Sequence, residues 1–393
     1  MKNVCLNCDS DKIEVKLDLG LQPPSNRYGS SLDKPNDVHR LEAGACSMCG
    51  LVQLLEPMPI DMVCARYDWI RYNEPEFHLD SLVETLKALD GVSLKSLIKG
   101  LSYKDTSTLE RFRRGNYTNT KQVCLPAAKT SAGNYAGLET IQNVVSNLGV
   151  PSEAEPADIL LVRHVFEHAH DPKAFLKNIS SLLKKDGYLV LEVPDSSKFI
   201  KKLSYSFLWE EHIVYFTETT LRAFLENQGF EVVHLLRYEA ALEDSLVAVV
   251  RMSNSPVDTQ KNLSASTDLF EFNRFVESYP REKEVHYEKW KKAWQEGQTL
   301  AVFGAGHLAA KYVNFFELSE FMTCVLDDSP EKTGLCLPGS TLPIKTSDCI
   351  SEADVCLMAL SPESLQKVLT AKRQKIKPGG RFVSIFDPHL TNL

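Results

Sequence analysis

At 393 residues the chain exceeds one ordinary core, and at roughly 150 residues per domain it holds two or three domains, with three as the working count. Hydrophobic residues make up 43% and charged residues 24%, which excludes a disordered or fibrous chain and provides for large buried cores. A net charge of −8 with no basic block argues against nucleic acid as a partner, and no apolar run long enough to span a membrane occurs. The start MKNVCLNCDSDKIEVKLDLG lacks the apolar core of a secretory signal, so the expectation is a cytoplasmic protein with no membrane partner.

The N-terminal region carries two CxxC pairs, Cys5 with Cys8 and Cys46 with Cys49. Each pair is a knuckle that lets two thiolates meet one tetrahedral ion, so together they predict a closed structural Zn2+ site with no open position for chemistry. The other six of the 10 cysteines are scattered, unlike a disulfide framework. Between the pairs, LDLGLQPPSNRYGSS reads as a Pro/Gly/Ser-rich loop rather than a strand or helix.

From Asp80 to about Asn254 amphipathic helices alternate with short apolar strands, the pattern of a parallel sheet covered on both faces. SLVETLKALDG reads as a helix ended by Gly91, ADILLVRHV as a buried strand, and AFLKNISSLLKKDG as a helix that runs to Gly187. YLVLEVPD is the next strand, ETTLRAFLENQGF the next helix, and EVVHLLRY with SLVAVVRM a closing hairpin. Ligands of such sheets sit outside the carboxyl ends of the strands, and two polar clusters fall there. The first holds Arg163, His164, Glu167, His168, His170 and Asp171. The second holds Trp209, Glu210, Glu211, His212 and Tyr215. HAHDP could simply cap the following helix, and WEEHIVYF could be a solvated face. Yet a His titrating near neutrality beside a carboxylate and aromatic residues is what general acid/base chemistry requires.

After Asn254, SNSPVDTQKNLSAST reads as a linker and FEFNRFVESYPREKEVHYEKWKKAWQEGQ as a long connecting helix. TLAVFGAGHLAAKYVNFF then gives strand, turn and helix around Gly304 and Gly306, with Asp327 and Asp328 further on. This resembles a dinucleotide fingerprint with a shortened third element, open to three readings: bound NAD, a sugar-nucleotide phosphate contact, or a structural half-Rossmann turn. His307 could face an interdomain cleft or be an ordinary residue at a helix start.

In order along nearly the whole chain, LGLQPPSN, RHVFEHAHDPKAFLKNISSLLKKDGYLVLEVP, EEHIVYF, VFGAGHLAAKYVNFF and LDDSPEKTGLCLPGSTLPI resemble the three-domain C-methyltransferases of deoxysugar biosynthesis. The resemblance implies an α/β chain of a small zinc-binding module (1–65), a Rossmann-like methyltransferase-type parallel sheet (66–254), and a linker helix with a second Rossmann-like domain (255–393). It implies S-adenosylmethionine as methyl donor and a nucleotide-linked keto sugar as substrate, deprotonated next to its ketone to give an enolate. Carried over by position, His168, Glu211 and His212 would be catalytic, with either His as base and Glu211 fixing the tautomer of His212. Tyr67 or Tyr72 would lie over the donor, and Tyr215, Gly304, Gly306 and His307 would meet the substrate. The tyrosine expected two places before the Glu is Trp209 here. Oligomeric state is not legible.

The donor turn departs from the family's pattern. SLKSLIKGLSYKDTSTLERF keeps Gly100 but follows it with Leu101, Ser102, Tyr103, Lys104 and Asp105, and KQVCLP places Leu125 where an acid for the ribose is expected. Two readings of SYKDTST stand: a helix cap, or a remodelled ligand loop in which Gly100, Ser102 and Asp105 hold the cofactor. The function follows as a C-methyltransferase-like enzyme, with a methyl-free proton-transfer enzyme of epimerase or isomerase type, or a non-catalytic sugar-nucleotide-binding scaffold, as alternatives.

Overall fold

The computed structural model describes residues 4–30, 37–67, 69–70, 74–125, 137–150, 155–253 and 266–386. Three sheets follow one another along it.

The first sheet opens with β1 (Ile13–Gln22), β2 (His39–Cys46) and β3 (Val52–Leu54), an antiparallel series in which β1 alternates buried and exposed residues. The segment LDLGLQ, expected as loop, is therefore strand up to Gln22. The alternation of Leu17 and Leu19 with polar neighbours carries it, and a register shift between Asp18 and Leu21 accommodates Gly20. This sheet is completed from far away in sequence, by Val214 pairing with Gln53 and Tyr215 with Val52.

In the middle unit, α1 (Leu79–Lys87) buries Leu79, Leu82, Val83 and Leu86 on one face. Then come β4 (Ile98–Gly100), α2 (Thr106–Arg114), β5 (Thr120–Gln122), α3 (Leu138–Asn143), β6 (Ala157–Arg163), α4 (Pro172–Ser180) and β7 (Leu183–Asp195). β8 (Val214–Tyr215), α5 (Glu218–Asn227), β9 (Phe230–Tyr238) and β10 (Asp244–Met252) close the unit. The sheet order is β5-β4-β6-β7-β10-β9, parallel through β7, with the β9–β10 hairpin antiparallel as its pattern predicts. The helix expected to reach Gly187 stops at Ser180, and the strand begins at Leu183. Strand pairing of Leu183 with Ala157 overrides the helical spacing of LLKK.

The helix α6 (Ser266–Gln295) runs 30 residues with Pro280 inside it. It leads into β11 (Leu300–Phe303), α7 (His307–Phe315), β12 (Met322–Asp327), β13 (Ile344–Thr346), β14 (Val355–Met358), α8 (Pro362–Lys372) and β15 (Arg381–Ser384). The last sheet is wholly parallel, in the order β13-β12-β11-β14-β15. α6 is anchored on α7: His286 Nδ1 lies 2.8 Å from the Tyr312 hydroxyl, to which Trp290 Nε1 also donates at 2.8 Å. One continuous apolar core runs through all three units, from Leu17 and Leu41 through Leu160 and Phe166 to Val313.

Candidate active site

The two knuckles meet at one point: the Sγ atoms of Cys5, Cys8, Cys46 and Cys49 all lie within 4.8 Å of one another, with Cys5 3.5 Å from Cys49 and Cys8 3.7 Å from Cys46. The Cys46 carbonyl accepts from the Gly50 amide and the Cys5 carbonyl from the Asp9 amide, fixing each turn. Four sulfurs this close, from three buried cysteines and one half-buried one, fit a closed Zn2+ site.

The His-rich stretch after β6 divides its labour. Asp171 caps α4 by accepting from the Ala174 amide at 2.9 Å, ahead of Pro172 at the first helical position. His164, with a left-handed φ of 49°, turns towards Glu192 (3.0 Å). His168 places Nδ1 2.7 Å from Glu139 on α3, and its ring stands edge-on to His212 at 4.8 Å. Glu211 groups with Glu139 and His168, whereas Glu167 groups with His168 and His212. Glu211 accepts from Asn26, whose Nδ2 donates to its Oε1 at 3.0 Å.

A cavity of about 290 Å³ opens beside these rings, lined among others by His164, Glu167, Trp209, His212, Glu243 and His307. That is room for a sugar ring, with the Trp209 indole as an apolar wall stacked on His307 at 4.4 Å. The two central histidines differ in protonation. Burial opposes charge on His168, but the carboxylate of Glu139 outweighs it and raises its pKa. Burial, with the neighbouring His168, holds His212 well below the ordinary value and so neutral.

Two outer histidines contribute to stability with opposite dependence on pH. Burial is outweighed at His164 by Glu74, Glu167 and Glu192, lifting it to about 10 from 6.5, while burial drops His307 to about 4 from 6.5. The His164 contribution is full below pH 6.5 and lost as pH rises through 10. His307 behaves oppositely: the unfolded chain protonates first as pH falls, so stability declines from 6.5 down to 4. His307→Phe is therefore expected to lose less of its urea midpoint than the wild type between pH 6.5 and 4. An unchanged acid limb in that variant would contradict the assignment.

The second cluster also pins the three units together. Glu210 and Lys311, both fully buried, form an ion pair, and Glu210 accepts from the Ser25 amide of the PPSN loop. Lys311 Nζ also lies 3.4 Å from the Pro23 carbonyl, and the Tyr28 hydroxyl donates to the Ala305 carbonyl at 2.6 Å. Tyr215 does not face substrate: its hydroxyl accepts from the Trp209 amide at 2.8 Å and donates to the Trp209 carbonyl at 2.9 Å. It holds the cluster's backbone in shape from within the core.

The turn after β4 is a cap. Ser102 accepts from the Lys104 amide at 3.1 Å, and Asp105 accepts from the Ser102 amide at 2.8 Å and the Arg163 amide at 3.1 Å. A Cβ on Gly100 would lie 2.6 Å from that of Asp105, so this glycine makes room for the cap's own side chain. Ser102 and Asp105, expected as cofactor ligands, form a capping box instead, and Gly100 packs against it. In the last domain Gly304, at φ +97°, has its Cβ direction filled by Leu360 and the Ala359 carbonyl, while Gly306 starts α7 in open space. Asp327 accepts from the Ala305 amide at 2.7 Å and pairs with Lys332, so it is taken from any ribose.

His168 lies between Glu211 on one side and His212 on the other, and His212 and His307 line the larger cavity while Glu211 lines a smaller one. Tyr67 does not join them: its hydroxyl donates to the Tyr28 carbonyl at 3.1 Å and its ring stacks on Trp69. Tyr72 lies outside the described residues. Glu139, a lone acid in GLETIQN, carries no local signal, because only the tertiary fold brings α3 to His168. Asn26 was within reach, standing in the quoted LGLQPPSN.

Three family models match in series: a zinc binding domain over residues 5–62, a methyltransferase domain over 101–235 and a C-methyltransferase C-terminal domain over 256–386. The C-methyltransferase NovU of Streptomyces niveus is 22% identical over 401 aligned residues, covering 96% of this chain and 94% of that protein. Solved structures are more distant. A Burkholderia thailandensis 1,6-didemethyltoxoflavin-N1-methyltransferase is 15% identical over 45% of this chain and 78% of its own, with a TM-score of 0.31. Magnesium protoporphyrin IX methyltransferase of Synechocystis PCC 6803 is 16% identical over 46% and 90%, also at 0.31. Scores this low add nothing to the assignment, which rests on the domain series and the full-length relative. In that order and over nearly its whole length, the chain belongs to the family of three-domain C-methyltransferases.

Proposed function

We propose that this chain enolises a nucleotide-linked keto sugar held in the cavity between the middle and last domains. The observation that carries the reading is the divergence of two touching histidines: His212 held neutral, His168 drawn towards the charged form by Glu139. Environments that push two titratable groups apart assign the base and the acid. His212 takes the proton from the carbon next to the ketone. His168, charged and oriented by Glu139, donates to the ketone oxygen as negative charge develops there. Glu211, fixed by Asn26, adds a second carboxylate beside His168. The C-methyltransferase family makes a methyl group the expected electrophile for the enolate carbon. The capped turn after β4 favours the second reading, in which a proton returns instead.

The test is deuterium entry next to the ketone, read by proton NMR in D2O. His212→Ala is expected to slow it roughly 10²- to 10⁴-fold, and Glu139→Gln to slow it less while shifting its pH profile. Zinc content and melting temperature serve as controls for folding. Equal rates in the wild type and His212→Ala would remove the proposed base.

A further inference from the structure

A methyl donor bound in the ordinary place would lie against the carboxyl end of β4, where the backbone must be bare, with a carboxylate beyond the next strand for its ribose. Here that ground is covered by the chain's own side chains. Asp105 fills the space in front of Gly100. The Arg163 side chain, 1% exposed, crosses the strand end: Nε meets Glu192 at 2.6 Å and its terminal nitrogens donate to the carbonyls of Lys104 at 2.8 Å and Pro75 at 3.3 Å. Lys104, bulky where a glycine would be wanted, runs to Glu74 at 2.7 Å.

The ribose partner is missing from the sequence itself, which has no Asp or Glu between Glu110 and Glu139. Glu139 is bonded to His168.

We infer that this chain turns over its keto substrate without a methyl donor, exchanging the proton next to the ketone with solvent. This rests on the enolisation proposed above and concerns only the fate of the enolate. The base removes the proton, and the C–H electron pair becomes the enolate π bond as the ketone oxygen takes the charge. A proton of solvent origin then returns to the same carbon, re-forming C–H and C=O with no net oxidation or reduction. Return to the original face gives exchange, and return to the opposite face gives the epimer.

The experiment uses the full-length zinc-loaded protein with a nucleoside-diphosphate-linked 4-keto sugar in D2O, with and without 1 mM S-adenosylmethionine, followed by NMR and mass spectrometry. Calorimetric titration with S-adenosylmethionine runs in parallel. The expected result is a gain of one mass unit at equal rates in both samples, no S-adenosylhomocysteine, and no heat of binding up to millimolar ligand. A product heavier by a methyl group with equimolar S-adenosylhomocysteine would overturn this inference alone, as would saturable donor binding below 0.1 mM. No exchange in either sample would overturn both it and the enolisation reading.

Discussion

Cys46→Ser is expected to abolish the bound zinc and, with it, proton exchange at a site built by another domain. A structural zinc in small modules is worth about 10–16 kcal/mol of folding free energy, so losing one of four sulfurs is not a local event. The effect travels by identifiable contacts. Cys46 ends β2, which pairs with both β1 and β3. β1 leads into the PPSN loop, and β3 holds β8. From that loop Ser25 reaches Glu210 and Asn26 reaches Glu211. Metal analysis should fall from one zinc per chain towards zero, near-ultraviolet circular dichroism should lose intensity, and deuterium entry should drop below detection. Full exchange in a zinc-free variant would show that the module does not organise the site.

Lys311→Met is expected to destabilise the chain by about 3–5 kcal/mol, because it strands the buried Glu210 carboxylate without its cation. The urea midpoint reads this directly. The double variant Lys311→Met with Glu210→Leu should recover most of the loss, since a buried ion pair replaced by apolar groups of similar volume is often neutral. If the double variant were no more stable than the single one, the cost would lie in lost packing rather than in a stranded charge. The pair also draws α7, the PPSN loop and the second cluster together, so the single variant should raise KM more than the double.

How far sequence anticipates structure depends here on how local each device is. The zinc knuckles were legible because two cysteines three positions apart and a short turn make each one. The alternation of β6, α4 and β7 was legible for the same reason. The hairpin of β9 and β10 announced itself by adjacent apolar runs. LDLGLQ hides its strand, because Gly20 and the following prolines mask its alternation and its partner β2 lies beyond a loop. The catalytic pair shows the opposite limit. Nothing in WEEHIVYF says that Glu211 turns to Asn26, or that Glu139, 29 residues before His168, orients that ring. The donor turn lay between: SYKDTST carried a visible capping box, but only the Arg163 side chain lying across it shows what occupies the space.

The completion of the first sheet by Val214 and Tyr215 bears on how the chain is made. The zinc module leaves the ribosome early, but its outer strand follows about 160 residues later than β3. At about 5–20 residues per second, β3 waits on the order of ten seconds with an unpaired edge. Metal capture would hold the knuckles meanwhile, and β8 would lock the sheet only once His168 had been synthesised. Assembly order then ties the first-made module to the catalytic segment: the strand that closes the sheet directly follows His212.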